Sequence, residues 1–276
     1  MSVLNNPLKQ YFRRPAVYLK LPSQGKYYAE GVIDMPPTGE LPVYPMTAID
    51  EITSKTPDAL FNGTAISDLM RSCIPDIKDP WAINSVDLDS ILIAIKAAAN
   101  GSNLELESVC PKCTNNATFG VDLIGVLATL TVGNYDEELD LGNLRIKFRP
   151  LTFKEMNEAS LGQFEVQKIF AALEKEENME VKAKHSQQAL KDITELTIQI
   201  LTNTIEYIKT PNAVVSEKEY ILDFLRNCDK DAYTTIRDHN AQLRAAAELK
   251  PLDIKCISCG NEYKQPFTLN PTDFFG

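Results

Sequence analysis

Histidine is scarce in this 276-residue chain, which holds two, His185 and His239. A histidine-rich metal site or a histidine relay therefore has little to draw on. Both residues fall on expected helix surfaces. No HExxH, P-loop, GxGxxG or GxSxG run occurs, which removes sequence support for zincin, nucleotide-binding and serine-hydrolase chemistry. Positive charge is short as well: 28 Lys and Arg stand against 38 Asp and Glu, a net charge of −10. An acidic chain repels a phosphate backbone unless its cations gather on one face. The only gathering is short: Lys9, Arg13, Arg14 and Lys20. Nucleic acid is not expected as the main partner.

Long apolar runs are missing too. The longest, Ile91 to Ile95, falls far short of a membrane span. Residues 1–7 lack the basic and apolar regions of a secretory signal. The expectation is a chain kept in a cytoplasm, where thiols stay reduced.

What is present suits a globular protein. Hydrophobic residues make up 44% and charged residues 24%, enough for a core and an ordinary surface. The length allows one large or two small domains.

Residues 1–46 are rich in proline, with Pro7, Pro15, Pro22, Pro36, Pro37, Pro42 and Pro45. Proline breaks helices and removes a ladder donor, so short strands fit better, at 16–21 and 40–44. This segment reads as an extended arm with a small β-meander, or equally as an edge sheet on the core. Within it Lys9, Tyr11, Phe12, Arg13 and Arg14 form a candidate contact patch, since aromatics and arginine are enriched at interfaces; the other reading puts Tyr11 and Phe12 in the core.

Residues 47–101 turn helical. Thr47 and Asp50 form a capping box, Pro57 opens a second helix, and Asn62-Gly63 is a break. Val86, Leu88, Ile91, Leu92 and Ile95 predict a helix apolar on nearly all sides, hence central and buried. Asp87 and Asp89, like Glu105 and Glu107, read as solvated faces or caps. Residues 123–250 read as a strand at 144–149 followed by helices. Those at 152–205 are expected to form an antiparallel pair, with the charge run 174–184 at their corner. Ser216 to Glu219 reads as a further capping box.

The cysteines carry the clearest chemistry. Cys110-Pro-Lys-Cys113 and Cys256-Ile-Ser-Cys259 each sit between two alternating runs, giving strand, knuckle and strand at 102–122 and again at 251–276. A two-residue gap lets both thiolates face one metal, and two such hairpins complete a closed four-sulfur site. Zinc is the expected ion and an iron–sulfur cluster the alternative. A closed site leaves no position for a reacting water, so its role would be to staple the two hairpins. Cys73 and Cys228 read as buried free thiols. The expected class is α+β: a mostly helical body, the N-terminal β-meander, and a four-cysteine zinc-ribbon-like β module.

Several segments carry no general chemical meaning yet form a recognisable pattern. These are Asn6 to Pro15, Leu19 to Ser23, Glu40 to Glu51, Thr56 to Gly63, Ser72 to Pro75, Pro80-Trp81 and Asp87 to Lys96. Together they resemble the baseplate hub proteins of T4-like contractile-tailed phages. The likeness is densest over 6–130 and weaker through the helical middle. The Cys256–Phe267 knuckle with Phe274-Phe275-Gly276 is similar to longer members. The resemblance implies a non-enzymatic role in building the tail baseplate, with hub and tail proteins as partners. It implies location in the host cytoplasm during assembly or in the virion tail. Virion component and transient assembly factor both remain open. A zinc-ribbon nucleic-acid-binding or regulatory protein is the alternative from a different class.

Overall fold

The computed structural model describes residues 7–174 and 178–269. The Phe274-Phe275 pair and the middle of the charge run lie outside them. Strands β1 (Val17–Leu19) and β2 (Leu41–Val43) pair antiparallel, Leu19 opposite Leu41. Leu19, Leu41 and Val43 point inward and are buried, so the pair is an edge sheet laid on the core.

Helices α1 (Ala48–Ser54), α2 (Pro57–Phe61) and α3 (Thr64–Cys73) follow. The Thr47 backbone N–H donates to Asp50 Oδ2 (2.7 Å), and the Asp50 N–H donates to Thr47 Oγ1 (3.2 Å). This is the expected capping box. The break between α2 and α3 falls on Gly63, whose φ of +78° suits glycine.

Helix α4 (Ser85–Asn100) is the axis of the first core. Ile91, Ile93 and Ile95 lose all solvent contact and pack among Leu21, Leu69, Met70 and Phe153. Each such burial stabilises the fold by about 2 kcal/mol. An apolar stripe on every side leaves a helix no solvated face, so it sits centrally. Gly101, with φ of +87°, ends it.

Strands β3 (Asn103–Val109) and β4 (Asn116–Asp122) then form a seven-residue antiparallel hairpin. Asp122 caps α5 (Leu123–Thr129) by accepting from the Ile124 N–H. Helix α5 was not foreseen. It is too short for periodicity to reveal, and its packing on α4 supplies what its length does not.

The second half is built on a four-stranded antiparallel sheet, ordered β5 (Glu138–Asp140), β6 (Arg145–Phe148), β7 (Ile205–Lys209) and β8 (Val214–Val215). Between β6 and β7 run the long helices α6 (Phe153–Glu174) and α7 (Met179–Thr204), packed on each other as expected. A capping box of Thr152 and Glu155 starts α6. Ile146 and Phe148 of the sheet face Ile221 and Leu225 of α8 (Lys218–Asn227) and Ile236 of α9 (Lys230–Ala245) in a second core.

Three expectations fail in this half. Ser216 does not cap α8; its N-cap is Glu217, whose side chain makes no capping bond. Cys228 is half-buried at the C-cap of α8 instead of inside it. His239 is only partly on the surface: it is half-buried, its ring packs on Phe148 (centroids 5.1 Å apart), and its buried Nε2 has no hydrogen-bond partner among the described residues. His185 is exposed on α7, as expected. Strands β9 (Leu252–Lys255) and β10 (Glu262–Gln265) form the closing hairpin. Among the described residues no helix is long and apolar enough to cross a membrane.

Candidate metal centre

Each CxxC occupies the turn of a strand pair, Cys110 and Cys113 between β3 and β4, Cys256 and Cys259 between β9 and β10. The two turns are built alike. The Cys110 N–H donates to Asn115 O (3.0 Å), and the Thr114 N–H returns to Cys110 O (2.9 Å). In the second turn Cys256 donates to Asn261 O (2.9 Å) and Gly260 to Cys256 O (2.9 Å). Spacing dictates this geometry: two residues between the cysteines bring both sulfurs to one side of the turn.

The fold then sets the turns face to face. Cys110 Sγ lies 3.7 Å from Cys259 Sγ, and Cys113 Sγ lies 3.6 Å from Cys256 Sγ. All four sulfurs fall within 4.8 Å of one another. These gaps are far above the disulfide length of about 2.05 Å. They match the roughly 3.8 Å between sulfurs that a tetrahedron with Zn–S bonds of about 2.3 Å requires. Cys110 and Cys256 are buried, Cys113 is half-buried and Cys259 is exposed. A polar contact braces the same interface: the Ser108 hydroxyl donates to Gln265 Oε1 (2.7 Å) and meets the Tyr263 hydroxyl (2.8 Å).

Electrostatics support the fit. Burial alone would raise the Cys110 thiol, but the backbone N–H groups of Cys113 and Lys112 outweigh it and hold the pKa at about 6. The N–H groups of Cys259 and Ser258 lower Cys256 in the same way. Cys113 accepts from the Asn115 N–H, yet the facing sulfurs of Cys259, Cys256 and Cys110 push it up to about 12. Four sulfurs this close become four thiolates only around a cation. The donor set can hold a metal ion.

A family model described as T4 bacteriophage base plate protein matches residues 19–276. The chain belongs to that family. Neither a curated protein nor a solved structure matches it. The base plate match takes in both CxxC turns and both hydrophobic cores.

Other singled-out residues of this base plate protein lie apart from the sulfurs. Cys73 is fully buried in the first core, and burial pushes its thiol up to about 12. Glu105 and Glu107 are exposed on β3, as expected. Asp87 departs from expectation: it is a completely buried carboxylate, not a solvated one. It accepts from the Ser23 N–H (2.9 Å), the Ser23 hydroxyl and the Tyr28 hydroxyl (2.8 Å). Its neighbours Leu88 and Ile91 mark α4 as core, and that was the available signal. The donors come from about sixty residues away, so no local pattern announces them.

Proposed function

We propose that this chain is a component of the phage baseplate hub, or a factor that assembles it, working through protein–protein contacts without catalysis. The family match over residues 19–276 carries the reading. In the same proposal Cys110, Cys113, Cys256 and Cys259 hold one zinc ion in a ribbon-like module. The ion's chemistry there is a cross-link between chain segments, since four thiolates fill a tetrahedral shell and leave no site for a reacting water. A single ion suits the spacing better than an iron–sulfur cluster, whose four thiolates are divided among two or four irons and so do not all converge on one point. Of the two histidines, one is exposed on α7 and the other packs on Phe148.

The chain would act in the host cytoplasm during assembly, beside hub and tail proteins, and would remain in the virion if it is a component. Mass spectrometry of purified virions beside an infected-cell lysate tests this. Abundance in virions supports a component, and presence only in hub subassemblies from the lysate supports an assembly factor. Absence from both overturns the reading. Elemental analysis of the purified protein tests the ion: one zinc per chain, with no visible absorption band, is the expected result.

A further inference from the structure

Charge is distributed unevenly along the chain. The first 29 residues contain Lys9, Arg13, Arg14, Lys20 and Lys26 and no acidic residue. The remainder holds 23 basic against 38 acidic residues, a net of −15. Two of the five cations are used internally. Arg13 turns inward, donating to Pro45 O (2.6 Å), Ser72 O (2.7 Å) and Ser72 Oγ (3.0 Å), with Asp50 at 3.4 Å. Lys26 pairs with Asp136. Among the described residues Lys9, Arg14 and Lys20 form no ion pair, although acids outnumber bases over the chain as a whole.

The backbone sorts Arg14 and Lys20 onto one side, and Lys9 is exposed in the 3-10 turn Pro7–Tyr11 that leads into them. From Phe12 to Lys20 exposure alternates residue by residue: Phe12, Arg14, Ala16, Tyr18 and Lys20 point out, while Arg13, Pro15, Val17 and Leu19 point in. That period of two is the mark of extended chain. The aromatics are far from core: Tyr11 is 77% exposed, Phe12 58% and Tyr18 64%. The strip spans about 26 Å at the usual rise per residue. It is held in place by the Arg13 cage, by the Ala16 N–H donating to Val43 O (2.9 Å), and by the β1–β2 ladder. A rigid display of aromatic and cationic side chains loses little entropy on binding.

We propose that the outward face of residues 9–20 is a docking strip for an acidic polypeptide segment of another protein. Arg14, Lys20 and Lys9 meet its carboxylates, and Tyr11, Phe12 and Tyr18 pack on its apolar atoms. Identifying that partner as a hub or tail protein rests on the baseplate reading; the chemistry of the strip does not. The net charge of −15 on the remainder opposes any long polyanion, so it favours a short acidic segment that ends within the strip over a phosphate backbone charged beyond it.

The test titrates the full chain into a fluorescent oligoglutamate, read by anisotropy. Saturable binding that weakens with salt is expected. The double variants R14E/K20E and Y11A/Y18A should each lose roughly tenfold in affinity, with unchanged thermal midpoints because these side chains face solvent. Lys184→Glu, an exposed cation on α7, should bind as the parent does. No binding by the parent, or unchanged binding by both strip variants, overturns the proposal. So does equal or tighter binding of fluorescent oligothymidylate, which would make the strip a nucleic-acid site. Self-association abolished by R14E/K20E, seen by sedimentation, would make the occupant a second copy and overturn it as well. If oligoglutamate binding holds but the chain is absent from virions and hub subassemblies, the baseplate reading fails while the strip stands; the opposite pair of results separates them the other way.

Discussion

Thr114 and Gly260 occupy the same position in the two cysteine turns, each immediately after the second cysteine, with φ of +57° and +68°. Both N–H groups close the turn on the carbonyl of its first cysteine. Left-handed backbone is unstrained for glycine and costly for a β-branched residue. Thr114 offsets part of that cost by donating its hydroxyl to Cys113 O (2.7 Å). Thr114→Gly should therefore stabilise the protein by about 0.5 kcal/mol, and Gly260→Ala should destabilise it by about 1 kcal/mol. Urea denaturation of the metal-loaded protein checks both. A destabilised Thr114→Gly variant would mean the hydroxyl contact outweighs the strain.

The metal proposal makes a sharper demand. Cys256→Ser removes one of four sulfurs and should lower metal content and melting temperature together, as chelation of the parent should. The loss should be several kcal/mol, because ion binding in such sites is coupled to folding. Cys73→Ala serves as the control that keeps its metal, being buried in the first core away from the other sulfurs. A Cys256→Ser protein with full metal and parental stability would end the staple idea.

Asp89 supplies a pH signature. It lies on α4 beside a cavity of about 180 Å³ also lined by Met156, Arg244 and Glu248. Burial pushes its carboxyl pKa up to about 6. A folded-state value above the unfolded one means the ionised form is penalised by folding. Stability from this group is full below about pH 4, declines as pH rises to about 6, and is level above that. Asp89→Asn should remove the decline and raise stability at pH 7 by about 1 to 2 kcal/mol, allowing for partial solvent screening. Denaturation midpoints measured from pH 4 to pH 7 decide it; parallel curves for parent and variant would contradict the assignment.

Features legible in the sequence are those whose cause is local. The CxxC gap, the flanking alternation and the Thr47–Asp50 box each act within a few residues, and the structure places them as read. Helix α4 was legible because its apolar residues leave no other side to expose. Asp87, His239 and Arg13 depart from their sequence reading for one shared reason. Their environments are set by distant partners: Ser23 and Tyr28 for Asp87, Phe148 for His239, and Pro45, Asp50 and Ser72 for Arg13. The contact patch was expected to include Arg13, but the structure turns that residue inward as an anchor. Tyr11 and Phe12, left open between patch and core, are exposed.

Cys113 and Cys256 meet across 143 positions of chain. A ribosome emits a protein from its N-terminus at about 5–20 residues per second, so the first sulfur pair emerges roughly seven to thirty seconds before the second. During that interval the nascent chain carries only half of a four-sulfur shell. Closure waits for the last hairpin, after all of the second hydrophobic core and nearly all of the first have been synthesised. A chain cut short anywhere between the two pairs has no second pair to offer, so the intact shell distinguishes finished molecules from truncated ones.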